Sequence, residues 1–301
     1  MILRKYRLIL LSTIIIFILS ACSATRGELE PPAMDVDVKV RDVQEAEPEP
    51  HDLLSVHFID VGEGDAILVM QGGYTMLIDG GPPEMGAVVV AYLRNQGISN
   101  LDYVVATHPF ADHVGGLSNV LRSIDVQNIL LPMVYHDTPA YNAFLVAAES
   151  SNADVNVPFA GHTFTLGNAT INVLSPSPTD TWENRANYSI VMRIEFGSTS
   201  FLMMGDAMRE VEASLLDSTA RLSSDVLKVA RHGASSATTS AFLDAVSPSI
   251  AVISAGNQNS FLSNEVLRRL SDAGIHTFRT DENGSIIITS DGATLGVTVE
   301  R

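Results

Sequence analysis

Short apolar runs, bounded by glycines and acidic residues, alternate along the chain with longer stretches whose apolar positions recur every three or four residues. Residues 54–59, 66–69 and 75–78 predict three consecutive strands. Gly62 and Gly64 separate the first two, and Gly72-Gly73 the last two. Residues 84–95 carry helical spacing and stop before Gly97. Residues 103–106 predict a buried strand that runs directly into His108. Further strands are expected near residues 129–131, 170–174, 190–195, 200–204, 226–229, 251–254, 276–279 and 285–289. Helices are expected near residues 139–150, 209–217, 240–246 and 264–273. There is no repeat of fixed period. Such a series fits one domain of two sheets between helices better than a single doubly wound sheet.

The N-terminal residues follow a different pattern. Arg4, Lys5 and Arg7 precede an apolar run of roughly 12 residues, which is signal-peptide length and short for a ~30 Å hydrocarbon core. The run ends in Leu19-Ser20-Ala21-Cys22, which resembles a bacterial lipoprotein box with Cys22 as the lipidated residue; a plain secretory signal or an uncleaved anchor is the alternative. Cys22 is the only cysteine, so disulfides within the chain and thiol nucleophiles elsewhere in it are excluded. Residues 23–52 are rich in Asp and Glu and are interrupted by Pro31, Pro32, Pro48 and Pro50, the composition of a solvated tether. The expected organisation is a lipoprotein signal peptide (1–22), an acidic linker (23–52) and one domain (53–301). It implies export and lipid anchoring to the outer face of the bacterial cell membrane. The membrane is then a partner, and no protein partner is inferable.

Composition changes this picture in one respect. The 301 residues are 46 % hydrophobic, enough for a sizeable core, and the formal net charge is −17. That charge repels phosphate backbones at long range and excludes broad nucleic-acid coating. A local metal or basic cleft can still admit a phosphodiester.

Four polar clusters each follow an apolar strand: Asp79-Gly80-Gly81, residues 107–116, Gly205-Asp206, and His232-Gly233. One histidine after a strand is usually a satisfied or surface residue. Imidazole and carboxylate recurring at four strand ends suit zinc, manganese or iron instead. Asp60 and Asp65, in the turn around Gly62 and Gly64, are expected to satisfy backbone donors. The hydroxyls of Ser235, Ser236, Thr238 and Thr239 are expected to cap the following helix. His51, His57, His136, His162 and His276 lack partners at ligand spacing and are read as structural or solvated.

With Phe58-Ile59-Asp60-Val61-Gly62-Glu63-Gly64-Asp65-Ala66, Leu77-Ile78-Asp79-Gly80-Gly81, Asn187-Tyr188-Ser189-Ile190-Val191, Gly205-Asp206-Ala207, and Leu227-Lys228-Val229 before His232-Gly233, the chain resembles the metallo-β-lactamase fold superfamily. Within it, the similarity is to the extracellular hydrolase domain of ComEC-type competence proteins. The resemblance implies an α+β, four-layer αββα sandwich with two mixed sheets between helices. The family motif His-x-His-x-Asp-His has Phe110 in place of its second His here. By the resemblance, His108 and Asp206 are what remains of a first metal site. Asp112, His113, Asp206 and His232 would form a complete second site, with Asp206 bridging. The expected cofactor is one divalent metal per chain, zinc or manganese. It would generate hydroxide to attack a phosphodiester, with nucleic acid as a candidate substrate, or another ester.

Asp112, His108 and Arg231 are the candidate catalytic residues. Asp79 is expected to orient a ligand, and Asn187 to stand behind the site, where with Arg231 it could meet developing negative charge. Arg231 stands where the family has His; it could clamp a phosphate or carboxylate, or only fill the space and charge left by a lost metal. The competing function is a catalytically impaired, surface-tethered binding or accessory domain, because Phe110 removes a ligand.

Overall fold

The computed structural model describes residues 52–256 and 261–301. Cys22 and the expected leader and linker lie outside the described residues, apart from Asp52. β1 (Leu54–Phe58), β2 (Ile67–Gln71) and β3 (Tyr74–Ile78) form a meander, and α1 (Gly86–Asn95) carries the chain to β4 (Asn100–Val105). Two short helices, α2 (Ala111–Val114) and α3 (Leu117–Ser123), lead to β5 (Asp125–Leu130), and α4 (Pro139–Ser150) leads to β6 (Asp154–Asn156). The second half runs through β7 (Thr163–Leu166), β8 (Ala169–Ser175), β9 (Val191–Phe196), β10 (Thr199–Met203), α5 (Arg209–Asp217) and β11 (Val226–Lys228). It continues with α6 (Ser240–Val246), β12 (Ile250–Ile253), α7 (Asn264–Asp272), β13 (His276–Arg279), α8 (Thr280–Asn283), β14 (Ile286–Ser290) and β15 (Leu295–Val299).

These strands form an eight-stranded sheet, β15-β14-β1-β2-β3-β4-β5-β6, and a seven-stranded sheet, β13-β12-β11-β10-β9-β8-β7. Both are mixed. The first is antiparallel through β3 and parallel from β3 to β6. The second is antiparallel through β10 and parallel from β10 to β13.

Alternation along each strand sorts side chains to the two faces of its sheet. Val56, Phe58, Val69 and Met76 meet Ile171, Val173, Met192 and Phe201 between the sheets. On the outer face of the first sheet, Leu68, Leu77 and Val104 pack against Val89, Leu93, Leu117 and Phe144 from the helices. On the outer face of the second, Leu202 and Leu227 pack against Val211, Leu215, Phe242 and Val266. The central strands are buried on both faces, which is why they read as unbroken apolar runs in the sequence. The architecture is the expected αββα sandwich. Thr138 caps α4 and Thr239 caps α6 through their hydroxyls, the latter as anticipated. The strands β6, β7 and β15 and the helices α2, α3 and α8 were not among the expected elements. β4 and β5 begin earlier than expected. Among the described residues, no helix is long and apolar enough to cross a membrane.

Candidate metal centre

The polar clusters follow β3, β4, β10 and β11, and backbone contacts lock their loops together. Asp79, in left-handed backbone (φ 58°), donates its N–H to Val105 O, and the next amide, Gly80 N, donates to His113 O at 2.7 Å. Gly116 N donates to Gly81 O, and a Cβ on Gly116 would lie 2.0 Å from Gly80 O, so only glycine allows the loops after β3 and β4 to touch here. Asp65 N donates to Asp112 O, which brings the turn after β1 into the same contact. From the other half, Asp206 N donates to Ser189 Oγ, and Ile190 N donates to Thr107 O across to the first half.

His232 takes its position from an unusual turn. Arg231 (φ 48°, ψ 48°) and His232 (φ 53°, ψ 26°) are consecutive left-handed residues, a conformation that costs about 1–2 kcal/mol each for side chains of this kind. Arg231 N to Gly205 O, Ala234 N to Arg231 O and the His232 Nδ1 contact with Ser254 O hold it there. The turn sends the imidazole inward.

Asp112, His113, Asp206 and His232 each offer a ligand atom within 4.8 Å of the others. Asp206 Oδ1 lies 3.3 Å from His113 Nε2 and 3.7 Å from His232 Nε2, while its Oδ2 lies 3.7 Å from His108 Nε2. Asp112 Oδ2 is 3.4 Å from His232 Nε2. His108, His113 and His232 are wholly buried, and Asp112 is the member of the cluster that reaches solvent. Asp79 stands behind His113: its Oδ2 meets His113 Nδ1 at 2.7 Å and accepts from Thr107 Oγ1 at 2.7 Å, while its Oδ1 accepts from Thr107 N. Thr107 Oγ1 thus donates to Asp79 and accepts from His108 Nδ1 at 3.0 Å, which leaves the His108 Nε2 lone pair facing the pocket.

The electrostatics follow from so many charges in so little water. Burial penalises a His113 cation, but Asp206, Asp79 and Asp112 overrule it and hold its pKa well above the ordinary 6.5. Burial likewise works against His232, and Asp206, Asp112 and Asp65 raise it. Burial opposes the Asp206 carboxylate, yet the surrounding imidazoles hold it well below its usual range. Asp112 is held down to about 2 against burial, chiefly by His113. Burial and His113 together push His108 down to about 3, so it is neutral. The carboxylates therefore draw positive charge into the pocket. His108 Nε2, His113 Nε2 and Asp206 Oδ1 are buried and make no hydrogen bond among the described residues. Buried polar atoms are seldom left so, and here they converge with mixed nitrogen and oxygen donors. That set fits a divalent cation of the zinc or manganese type.

The structure thus brings together His108, Asp112, His113, Asp206 and His232, and puts Asp79 against His113. Asn187 has other work. Its Oδ1 accepts from Met208 N and its Nδ2 donates to Glu210, so both amide ends are engaged in fastening the loop after Asp206 rather than free to meet negative charge. Asp60 accepts from Gly62 N, as expected of a turn residue, and from Arg301.

Asp65 is the main correction. It is not a turn residue satisfying backbone donors but a buried carboxylate, 2.8 Å from Lys228 Nζ and near His113 and His232. Burial opposes its charge, and Lys228, His113 and His232 hold its pKa below the ordinary value all the same. Lys228, wholly buried, was quoted in the sequence only as part of the segment Leu227-Lys228-Val229 and was given no role; a lysine in the middle of the apolar run 226–230 was the available signal. Phe110 packs its ring 5.0 Å from that of His108 and 5.3 Å from His136, whose Nδ1 is buried without a hydrogen bond among the described residues. His136 is therefore part of the wall beside the centre.

The model of the metallo-beta-lactamase superfamily matches residues 59–257. The chain is 29 % identical over 251 residues to ComE operon protein 3 of Bacillus subtilis (strain 168), covering 77 % of this chain and 32 % of that protein. It is 28 % identical over 242 residues to competence protein ComA of Neisseria gonorrhoeae, covering 79 % of this chain and 32 % of that one. It therefore spans about a third of the length of these relatives. Among solved structures, the metallo-beta-lactamase fold protein YhfI of Bacillus subtilis superposes with a TM-score of 0.54 at 15 % identity, over 79 % of this chain and 100 % of that chain. CmlA, a diiron beta-hydroxylase from Streptomyces venezuelae, gives 0.51 at 15 % identity, over 77 % and 53 %. At such identities the structures show the fold alone. Fold, order of motifs and family match agree: the chain belongs to the metallo-beta-lactamase superfamily, and its relatives include segments of ComE operon protein 3 and of competence protein ComA.

Proposed function

We propose that the chain is a hydrolase of phosphodiester or related ester bonds that works with one divalent cation, zinc or manganese, held by Asp112, His113, Asp206 and His232. The observation that carries this reading is the convergence of buried, hydrogen-bond-free donors, His113 Nε2 and Asp206 Oδ1, on the space that Asp112 and His232 also line. When bound, such a cation acts as a Lewis acid and brings the pKa of a water near neutrality. The chain's own residues do the rest. Asp79 accepts from His113 Nδ1 and Ser254 O from His232 Nδ1, which turns each Nε2 toward the pocket. His108 Nε2, neutral and without a hydrogen bond among the described residues, accepts a hydrogen bond from the attacking water and orients it. Asp112, on the solvent side, is the carboxylate best placed to pass a proton out of the pocket. Export and tethering through Cys22 belong to the same proposal, supported by the leader sequence and by the naming of one relative as a competence protein. A single-stranded nucleic acid is one candidate substrate outside the membrane.

A second reading has its own observation. Phe110 lies against His108 with a ring that offers no ligand, as a retired site used only for binding would have. Metal analysis of the purified, leader-free protein separates the two. About one zinc or manganese per chain, lost in Asp206→Ala and His232→Ala, is expected. No metal under supplementation overturns the hydrolase and leaves the binding module. With metal present, cleavage of a bis-aryl phosphodiester is expected, and Phe110→His should raise both metal content and rate.

A further inference from the structure

Arg231 sits beside the centre with its charge uncommitted. Arg193, Arg269 and Arg279, the other arginines withdrawn from the exposed surface, each pair with a carboxylate: Glu195, Glu265, and Asp281 with Glu282. Arg231 pairs with none among the described residues. Its guanidinium contacts Met208 Sδ at 2.9 Å and lies 5.7 Å over the ring of Phe261, two neutral supports that leave most of its donor fork unused. Both supports adjoin the centre. Met208 closely follows Asp206 in the chain, and the Phe261 ring lies 6.1 Å from that of His232.

The ligand carboxylates do not account for this charge either. Asp112 and Asp206 are engaged with His113 and His232, and neither pairs with Arg231. A planar cation packed on sulfur and an aromatic face, half-buried and next to His232 in the chain, suits a tetrahedral anion brought to the centre. The strained left-handed turn gives the same picture from the backbone. It places two consecutive side chains, Arg231 and His232, beside one centre, one against Met208 and Phe261 and the other among the donors.

We propose that Arg231 is the anion-recognition residue of this centre, selecting esters with a negatively charged phosphoryl group over neutral esters. This inference rests on the hydrolase reading for the term substrate. A net charge of −17 makes local recognition necessary, because the chain as a whole repels anions.

Equilibrium binding of two probes tests it. Diphenylphosphinate is anionic and holds no ester bond to cleave, and methyldiphenylphosphine oxide has nearly the same shape without the charge. Titrations into the metal-loaded protein compare wild type with Arg231→Gln and Arg231→Lys, after metal content and folding of each are checked. Wild type should prefer the anion by about tenfold or more, Arg231→Gln should lose about tenfold in that preference, and Arg231→Lys should fall between. A wild type that does not discriminate, or an Arg231→Gln protein that discriminates as well as wild type, overturns the proposal. If Arg231→Gln fails to fold or to load metal, Arg231→Lys decides, since an unchanged preference there contradicts recognition by the guanidinium fork. A protein that binds the anion through Arg231 but cleaves no diester defeats the hydrolase reading and leaves anion recognition standing.

Discussion

Lys228 is wholly buried, and its ammonium spends itself on Asp65 Oδ2 at 2.8 Å and on Val229 O at 3.1 Å. Taking two such charges out of water is costly, and the pair persists because each is the other's compensation. It also holds β11, which carries Lys228, to the turn that precedes β2. Lys228→Met leaves a buried carboxylate facing His113 and His232, and should cost about 3–5 kcal/mol in urea unfolding. Adding Asp65→Leu removes the stranded charge, and most of that loss should return. A single variant that unfolds at the wild-type urea concentration would show that the pair balances nothing. Neither partner stood out in the sequence as a pair, because an ion pair between residues so far apart leaves no local pattern. The histidines and aspartates of the candidate centre were legible for the opposite reason: each follows an apolar strand, and strand ends are where a sheet gathers functional groups.

Among the elements, legibility followed burial. Pro139–Ser150, Arg209–Asp217 and Ser240–Val246 form with the expected bounds, since capping residues or turn chemistry punctuate an amphipathic stretch. The missed strands are edge or near-edge strands. Asp154–Asn156 is exposed throughout, while Thr163–Leu166 and Leu295–Val299 bury little, so no apolar run announces them. Helix Ala111–Val114 hides inside the motif itself, where Asp112 and His113 break the periodicity, and Leu117–Ser123, which follows it directly, spans only seven residues. Their junction makes the sharpest element-scale prediction. A methyl group on Gly116 would meet Gly80 O at 2.0 Å and so would push α3 away from the loop after β3. Asp79 and His113 lie on the two sides of that contact. Gly116→Ala should therefore weaken metal binding by about 10- to 100-fold, the scale seen when the support of a ligand is lost. Competition against a chelator measures this, and an unchanged affinity would mean that the loops can shift without moving Asp79 from His113.

At the scale of the molecule, the centre is a seam. The first half supplies Asp65, Asp79, His108, Asp112 and His113, and the second supplies Asp206, Lys228 and His232. Without a cation, the protons that the carboxylates draw onto His113 and His232 supply part of the positive charge that this seam requires. A cation that binds the folded arrangement and not the unfolded chain must stabilise the whole domain, because no single half contains its ligand set. At a free concentration about 100 times the dissociation constant, the gain is about 2.7 kcal/mol. For a domain of this size that corresponds to a rise of roughly 5–10 °C in the unfolding midpoint. Calorimetry with zinc or manganese, then after chelation, should show the rise and its reversal in wild type and neither in Asp206→Ala. A comparable rise in Asp206→Ala would assign the stabilisation to surface carboxylates, of which this acidic chain has many, and would remove the seam from the account of its stability.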